Sequence, residues 1–598
     1  MDYGSATGHE SLPPPLPADP PARTHEMGPT PTARYDGAGQ PGAIRRGLAQ
    51  SQQAGLSAMF GLAGGRAPNK PLLTETPALA PDSAAVSATT EPRRDEPGID
   101  RFAHLPGLTL MAVILTIQAV LSAQFLTVAT AFGGEARDLW AGRLEWAHWL
   151  HGASLPAFPP SWFSGSPVIY PPVAALADGL GGLVGARILS LAFMLGATCL
   201  LWGTTARLFG RRPAFFAAAL FAVIAPTLHV GTLATYDAMA LFLIALAGWC
   251  ACGSRARDDA TGWILACAGA LALANATEYA SALFDPVVVS MAVLCACPRP
   301  GGKVAMRRGA LLLTCLAGTL AVLVRIGGQW YVTGISQTTT MRPAGTASAR
   351  AVLAQSWAWT GVVAVAALTG LVISIMARNA RPVTQLITAL AAATLLVPIE
   401  QARVQTTASL PRHIDFGAWF ACIAAGYALG SIASWPKARS MRVVVAACLS
   451  AAITPVAALA IRQAQPMINW PGSEHLVAFL KPLTLHGGRF LADTAEVPEY
   501  YLPLTRWQQW STTSAITLPG GQVHSVYGNP APYARAISQH YFSLVILDFP
   551  QTPVDQAITR ALSATPGYRV IKHVGYRGPV RGYYTVWAYR PGPGTGGS

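Results

Sequence analysis

The stretch LTLMAVILTIQAVLSAQFLTVATAFGGEARDLW (108–140) joins an apolar segment directly to a segment that contains two acids. A bilayer crossing requires about 20 predominantly apolar residues, and the run from Leu108 to Val128 is long enough. Glu135 and Asp138 follow shortly after this run. The pattern predicts a membrane helix that ends at a surface where carboxylates are held, and it raises the question of what those carboxylates do.

The composition of the whole chain supports a polytopic membrane protein. Of its 598 residues, 52% are hydrophobic and only 12% are charged, whereas soluble domains have roughly 25% charged residues. The net charge of +14 is carried mostly by short loops between apolar runs, which indicates membrane topology and argues against a nucleic-acid partner. The nine cysteines lie within or at the ends of apolar runs without metal-type spacing, so they predict neither zinc ligation nor a disulfide framework.

The chain divides into three regions by composition. Residues 1–100 are rich in Pro, Ala, Gly and Thr and predict a disordered cytoplasmic tail, because they cannot bury enough apolar surface to fold. Residues 101–464 predict a transmembrane domain. Residues 465–598 predict a small extracytoplasmic α/β domain, since HYFSLVILDF (540–549) and YYTVWAYR (583–590) have the β-branched and aromatic content of strands.

The apolar runs and the basic loops between them predict the topology. Eleven spans are expected, at about 108–130, 186–206, 214–230, 236–253, 261–276, 282–297, 309–327, 357–376, 383–399, 414–433 and 442–461. Basic residues are concentrated in alternate loops, which contain Arg207, Arg211, Arg212, Arg255, Arg257, Arg299, Lys303, Arg307, Arg308, Arg378, Arg381, Lys437, Arg439 and Arg442. The positive-inside rule places these loops and the N-terminus in the cytoplasm. The odd number of spans then places the C-terminal region outside the plasma membrane.

The first outer loop is much longer than a simple connection requires. It runs from 131 to 185, and its segment WAGRLEWAHWLHG (140–152) predicts an amphipathic interfacial helix, because its tryptophans favour the headgroup layer. Glu135 is expected to precede this helix, after two glycines, where it has no evident packing role. A functional role for Glu135 is therefore favoured.

A second acid stands at the outer end of the fourth predicted span. In LATYDAMALF (233–242), Asp237 is flanked by apolar residues, and a buried acid is costly unless it is paired or hydrated. The topology brings Asp237 to the same outer face as Glu135 and Asp138, with Glu278 as a further acid nearby. Two alternatives remain open: Asp138 as a solvated acid on the polar side of a helix, and Asp237 as a helix N-cap.

Four further stretches carry a resemblance to a known family. SGSPVIYPP (164–172), GARILSLAFML (185–195), RLFGRRPAFFAAALFA (207–222) and ATYDAMALFLIALA (234–247) follow the acid of the first loop in order. In this arrangement the chain resembles the GT-C class of membrane glycosyltransferases, in particular the protein O-mannosyltransferase and aminoarabinose-transferase branch, family 39 and its bacterial relatives. The resemblance covers about residues 105–460 and is most specific between 131 and 250.

The resemblance implies an activity and its substrates. Such enzymes take a sugar from a polyprenyl-phosphate carrier and transfer it, with inversion, to an acceptor hydroxyl on a protein, a lipid or a cell-wall polymer. No cofactor or metal-ligand set is implied, although a divalent metal remains compatible. The family's first loop often reads Asp-Glu-Ala, whereas this chain has Gly134-Glu135-Ala136. The missing acid leaves an alternative, a catalytically degenerate protein that binds the carrier lipid or a surface polymer.

The expected site residues follow from the resemblance and from the topology. The carboxylates expected to act in catalysis are Glu135, Asp138 and Asp237. The residues expected to bind substrate or to shape the cavity are Tyr170, Pro171, Tyr236, Arg342, Arg403, Arg412 and His413. Among these, the arginines and the histidine are candidates for contacts with the carrier phosphate, because a departing phosphate needs cationic partners.

Overall fold

The computed structural model describes residues 105–591, apart from 161, 256–259, 298–300, 343, 520–521, 527–528, 550 and 577–580. The expected cytoplasmic tail of residues 1–100 lies outside the described residues. Up to residue 464 the described chain is helical, with α1 Leu105–Ala123, α2 Gly133–His151, α3 Tyr170–Phe209, α4 Arg211–Ala222, α5 Ala225–Val230, α6 Tyr236–Gly253, α7 Thr261–Thr277, α8 Asp285–Ala296, α9 Gly302–Thr338, α10 Ala349–Met376, α11 Arg381–Arg403, α12 Leu410–Ser434 and α13 Arg439–Ala464. A short 3₁₀ helix, Tyr279–Phe284, precedes α8.

The helices identify a multi-pass membrane protein, but the predicted count of eleven spans is not confirmed. In the described part of the chain, eight helical segments are long and apolar enough to cross a bilayer, and α1 and α7 are shorter apolar helices. The span expected at 214–230 is interrupted: α4 ends at Ala222 and α5 begins at Ala225. Pro226 lies in the first turn of α5, and a proline there cannot continue the hydrogen-bond ladder of a preceding helix.

The first outer loop contains a longer helix than expected. The interfacial helix was expected at 140–152, but α2 begins at Gly133, so Glu135 and Asp138 both lie within it. The expectation that Glu135 precedes the helix is therefore wrong. The chain then enters α3, whose helical backbone is interrupted at Gly181 and Gly182.

The centre of the membrane region is α12, which is buried along most of its length. Trp419 lies wholly inside, and its indole nitrogen donates to the carbonyl of Ala197 in α3. Close packing depends on small residues, since a Cβ added at Gly426 would lie 2.4 Å from the Pro213 carbonyl oxygen of α4. Such approaches are typical of helices that pack within a bilayer.

The C-terminal region is a small α/β fold, as predicted. Its elements are α14 Glu474–Thr484, β1 Phe490–Ala492, α15 Glu496–Tyr501, β2 Trp510–Thr512, β3 Ala515–Thr517, β4 Val523–Ser525, α16 Ala531–Ser538, β5 Leu544–Leu547, α17 Pro553–Ala564, β6 Tyr568–Gly575 and β7 Tyr583–Tyr589. The main sheet has the order β2-β1-β5-β7-β6, with β1 parallel to β2 and β5 and with β7 antiparallel to its neighbours. Helices cover both of its faces.

This C-terminal fold packs directly on the first outer loop through α15. Tyr500 donates a hydrogen bond of 2.6 Å to Asp178, and Arg143 donates to the same carboxylate and to the Tyr500 carbonyl. The Tyr501 hydroxyl accepts from the amide of Ala131, at the approach to α2. The contacts fix α2, and with it the acids that α2 carries.

Candidate functional site

Glu135 accepts hydrogen bonds at both of its carboxylate oxygens. Its two oxygens accept from the Arg187 guanidinium at 2.8 and 2.7 Å, and they also accept from the amides of Ala234 and Phe132. The side chains of Glu135 and Arg187 are 0% and 2% exposed. Charge-assisted hydrogen bonds from four donors therefore hold the Glu135 carboxylate in a fixed position.

Asp138, one helical turn further along α2, is in the opposite situation. It is 0% exposed, and neither of its oxygens accepts a hydrogen bond from any described residue. The nearest cation is the Arg137 guanidinium, whose Nε lies 3.9 Å from the Asp138 Oδ1. Burial raises the pKa of Asp138 well above its ordinary value; Arg137 opposes this rise, and the Asp237 carboxylate adds to it.

Asp237 lies in the first turn of α6 and faces two residues from the start of α12. One of its oxygens accepts from the Thr235 hydroxyl at 2.6 Å, and the same oxygen lies 3.8 Å from the Arg412 guanidinium. His413 Nε2 lies 3.6 Å from the other oxygen of Asp237 and 2.7 Å from the Glu278 carboxylate. The charges of Asp237 and Arg412 also act on Asp138. The expected convergence of acids from separate parts of the chain is therefore present.

A cavity of about 440 Å³ opens beside this cluster. Its charged lining includes five residues: Glu278, Arg342, Glu400, Arg403 and His413. Most of the remaining wall is apolar, contributed by residues such as Phe284. Arg342 donates to the Ser409 hydroxyl, whereas Arg403 is exposed and paired with Glu400 at 2.5 Å. The cavity thus presents cationic groups beside an apolar wall, which suits an amphiphile with an anionic end.

Three predicted residues have well-defined packing roles near the acids. Tyr170 and Tyr236 are buried in one cluster with residues of α2. A Cβ added at Gly142 of α2 would lie 2.0 Å from the Pro171 carbonyl oxygen, so α2 and the start of α3 are in close contact there. These residues hold the wall of the site together; direct contact with substrate remains a prediction for Tyr170, Pro171 and Tyr236.

Three side chains of the cluster could hold a divalent cation. Asp237, Glu278 and His413 each offer one ligand atom, and these atoms lie within 4.8 Å of one another. Carboxylate and imidazole ligands suit zinc and other divalent transition metals. The sequence predicted no metal-ligand set, because the three residues come from separate parts of the chain and have no recognisable spacing.

Sequence reasoning did not assign roles to two further groups at the site. Arg187 stands alone in the apolar run GARILSLAFML, and an isolated charge within a predicted span is a signal for a buried partner. His229 of α5 is 4% exposed, its Nδ1 has no hydrogen-bond partner among the described residues, and the charges of Arg412 and Asp237 act on it. Its stretch APTLHV offers no comparable signal.

Comparisons with known proteins bear on the fold. No protein-family model and no curated protein matches the sequence significantly. Among solved structures, ArnT from Cupriavidus metallidurans bound to undecaprenyl phosphate matches with a TM-score of 0.52 and 16% identity, covering 81% of this chain and 98% of that chain. The Archaeoglobus fulgidus oligosaccharyltransferase AglB, in complex with an inhibitory peptide and a dolichol-phosphate, gives 0.51 and 12%, over 78% and 73% of the two chains. The same enzyme tethered to an acceptor peptide gives 0.52 and 13%, over 80% and 74%. The chain thus has the GT-C fold predicted from its sequence.

Proposed function

We propose that the chain is an inverting glycosyltransferase that takes a sugar from a polyprenyl-phosphate carrier and transfers it to an acceptor hydroxyl. The observation that carries the proposal is the buried Asp138 carboxylate, which lacks hydrogen-bond donors among the described residues and lies beside a cluster of acids and cations. The GT-C fold adds support, because ArnT and AglB, which share it, were solved with undecaprenyl phosphate and dolichol-phosphate bound.

Asp138 is the proposed general base. As the acceptor oxygen bonds to the anomeric carbon of the sugar, its proton passes to the Asp138 carboxylate, and the bond from that carbon to the carrier phosphate breaks. A base works best when its pKa lies close to the working pH, and burial raises the pKa of Asp138 towards that range. Attack on the side opposite the departing phosphate inverts the anomeric configuration.

The proposed donor site is the cavity beside His413. Its apolar wall suits the first isoprene units of the carrier, and its cationic groups suit the phosphate. Arg412 and His413 lie 3.8 and 3.6 Å from the Asp237 carboxylate, so they are the groups proposed to stabilise the negative charge that develops on the departing phosphate. Arg342 is proposed to contact the phosphate from the cavity side.

This assignment gives Glu135 a different task from Asp138. The Glu135–Arg187 pair joins the start of α2 to α3, and the bond from Glu135 to the Ala234 amide fixes the approach to Asp237. Glu135 is therefore proposed to position the catalytic acids rather than to accept the proton. Asp237 is proposed to hold Arg412 and the acceptor hydroxyl in place.

The proposed topology follows from the same site. The first loop, the start of α6 and the start of α12 share the face that carries the acids, and the C-terminal α/β fold packs on that face. We propose that this is the outer face of the plasma membrane and that the N-terminus lies in the cytoplasm. The reaction then occurs where a lipid-borne donor and a protein, lipid or cell-wall acceptor meet.

The test is transfer by purified protein reconstituted in vesicles that contain a radiolabelled polyprenyl-phosphate sugar and envelope extract as the acceptor. Asp138→Asn is expected to lower the transfer rate by roughly 10²- to 10⁴-fold. Glu145→Gln is the matched control, because Glu145 lies two turns further along the same helix, is likewise buried, and has its pKa raised by burial alone. Equal rates in the two variants would refute the assignment of Asp138.

One observation favours a second candidate function. Gly134 occupies the place of an expected acid, and the neighbouring Glu135 is fully engaged by Arg187. A protein that only binds the carrier lipid would have such a site, without the acid at position 134 and with Glu135 engaged by Arg187. It would bind a radiolabelled polyprenyl phosphate through the same cavity, yet it would transfer no sugar from any polyprenyl-phosphate donor to envelope acceptors.

A further inference from the structure

A second cavity, of about 380 Å³, lies at the opposite end of the membrane helices. α3 begins at Tyr170, in the buried cluster of the outer loop, and ends at Phe209, which lines this cavity. α12 begins two residues before Arg412 and ends at Ser434, also in the lining. Both helices therefore run from the candidate site to the second cavity. The second cavity is thus at the opposite surface of the membrane from the candidate site.

The charged groups of this cavity are all cationic. Arg211 and Arg212 are consecutive and exposed, and among the described residues that line the cavity none is acidic. Arg212 donates to the Ser434 hydroxyl at 3.2 Å. Tyr427 adds a hydroxyl that accepts from Asn379, so its own hydrogen remains available to a ligand. The cavity thus offers two guanidinium groups and a hydroxyl to an anion.

The shape of the cavity suits an amphiphilic anion. Two of its lining residues are closely packed, because a Cβ added at Gly430 would lie 2.6 Å from the ring of Pro213. Its wall includes the paired rings of Phe209 and Tyr427, whose centroids are 4.9 Å apart. Guanidinium groups bind phosphate oxygens in pairs, and the aromatic wall provides an apolar surface beside them.

The surrounding surface increases the local concentration of anions. Further basic side chains flank the same ends of the helices: Arg207, Arg255, Arg378, Arg381, Lys437 and Arg439. Clusters of Lys and Arg at a membrane surface attract anionic lipids, and basic pockets between helices bind their headgroups. The basic side chains would also attract a soluble anion. Only a lipid would bind more tightly because the cavity lies at the membrane boundary.

We propose that this cavity binds the phosphate of an anionic phospholipid in the leaflet that faces away from the candidate site. The two arginines hold the phosphate oxygens, the Tyr427 hydroxyl donates to one of them, and the acyl chains lie along the aromatic wall. The site is separate from the proposed transferase chemistry, so it can be tested whether or not the chain transfers sugar.

The test is native mass spectrometry of the purified protein with added phosphatidylglycerol or phosphatidylcholine. The wild type is expected to retain phosphatidylglycerol preferentially. Loss of each arginine is expected to weaken that retention roughly fivefold, so Arg211→Ala/Arg212→Ala is expected to remove most of the preference. Lys437→Ala/Arg439→Ala is the matched control, because it removes two exposed charges from the same surface outside the cavity.

Three results would overturn the proposal. One is unchanged retention of phosphatidylglycerol in the Arg211/Arg212 variant. Another is an equal loss in the Lys437/Arg439 variant, which would indicate only a general attraction between surface charges and the lipid. The third is thermal stabilisation of the wild type by inorganic phosphate alone to the same extent as by phosphatidylglycerol, which would identify a soluble anion as the ligand. If the double variant does not fold, retention of phosphatidylglycerol is compared between the wild type and Arg212→Lys, which keeps the positive charge at this position.

Discussion

The Arg187 guanidinium holds the Glu135 carboxylate through two parallel hydrogen bonds, 2.8 Å from Nε to Oε1 and 2.7 Å from Nη2 to Oε2. Its remaining donors reach the carbonyls of Leu126, Ala129 and Thr130, in the connection between α1 and α2. The ion pair therefore joins the first helix, the interfacial helix and α3. This arrangement distinguishes Glu135, which is held by Arg187, from Asp138, whose oxygens accept no hydrogen bond from a described residue.

Glu135→Gln is expected to destabilise the protein. The substitution leaves the buried Arg187 charge without its partner, and breaking a buried pair in this way costs roughly 3–5 kcal/mol. The midpoint of thermal unfolding in detergent should fall, and membrane expression should fall with it. Glu145→Gln removes a buried acid that forms no ion pair with a described residue, so it should not lower the midpoint. A Glu135→Gln variant with wild-type stability and no transfer activity would make Glu135 the base.

Asp138→Asn is expected to have the opposite effect on stability. Burial raises the pKa of Asp138, which means that the folded state disfavours the charged carboxylate and loses stability as the pH rises through that raised pKa. A neutral amide removes this cost near neutral pH. The variant should unfold at a higher temperature than the wild type, although its transfer rate is lowered by roughly 10²- to 10⁴-fold. An inactive variant with a lowered midpoint would indicate that Asp138 supports the fold.

Arg412→Gln is expected to impair transfer without preventing carrier binding. Removal of one preorganised donor from a site of developing charge costs about 10²- to 10³-fold in kcat. Arg403→Gln is the control, because Arg403 lines the proposed donor cavity but is exposed and already paired with Glu400. Its effect on kcat should be small. If both variants lose kcat equally, the leaving phosphate lies further into the cavity than proposed.

Gly134→Asp is expected to give no gain in transfer. A Cβ at position 134 would lie 2.6 Å from the ring of Phe132, so the ring, which packs against Trp470, has to move. Gly134→Ala meets the same obstacle without adding an acid and is the matched control. Assays of transfer should find neither variant above the wild type. A large rise in the aspartate variant alone would identify the natural chain as a degenerate enzyme.

The sequence was sufficient to predict the fold class and to predict that Glu135, Asp138 and Asp237 lie close together. Span periodicity and basic loops indicated a polytopic membrane protein, and strand-like composition located β5 and β7 within 540–549 and 583–590. The broken span at 214–230 was missed, because hydropathy is continuous across Pro226 whereas the backbone is not. The chemistry of the acids was predicted only in part. Whether Glu135 or Asp138 keeps a free carboxylate depends on Arg187, 52 residues away from Glu135 along the chain, and no local pattern reports such a contact.

The pH dependence of kcat/KM for sugar transfer tests the central claim most directly. If Asp138 is the base, it must be ionised, so kcat/KM should fall as the pH drops through its raised pKa, well above the value of about 3.9 for an ordinary aspartate. Because the Arg137 guanidinium lowers that pKa, Arg137→Gln should move the fall to higher pH. The account would be contradicted if kcat/KM of the wild type fell only near the pKa of an ordinary aspartate. It would also be contradicted if the pH of this fall were the same in Arg137→Gln.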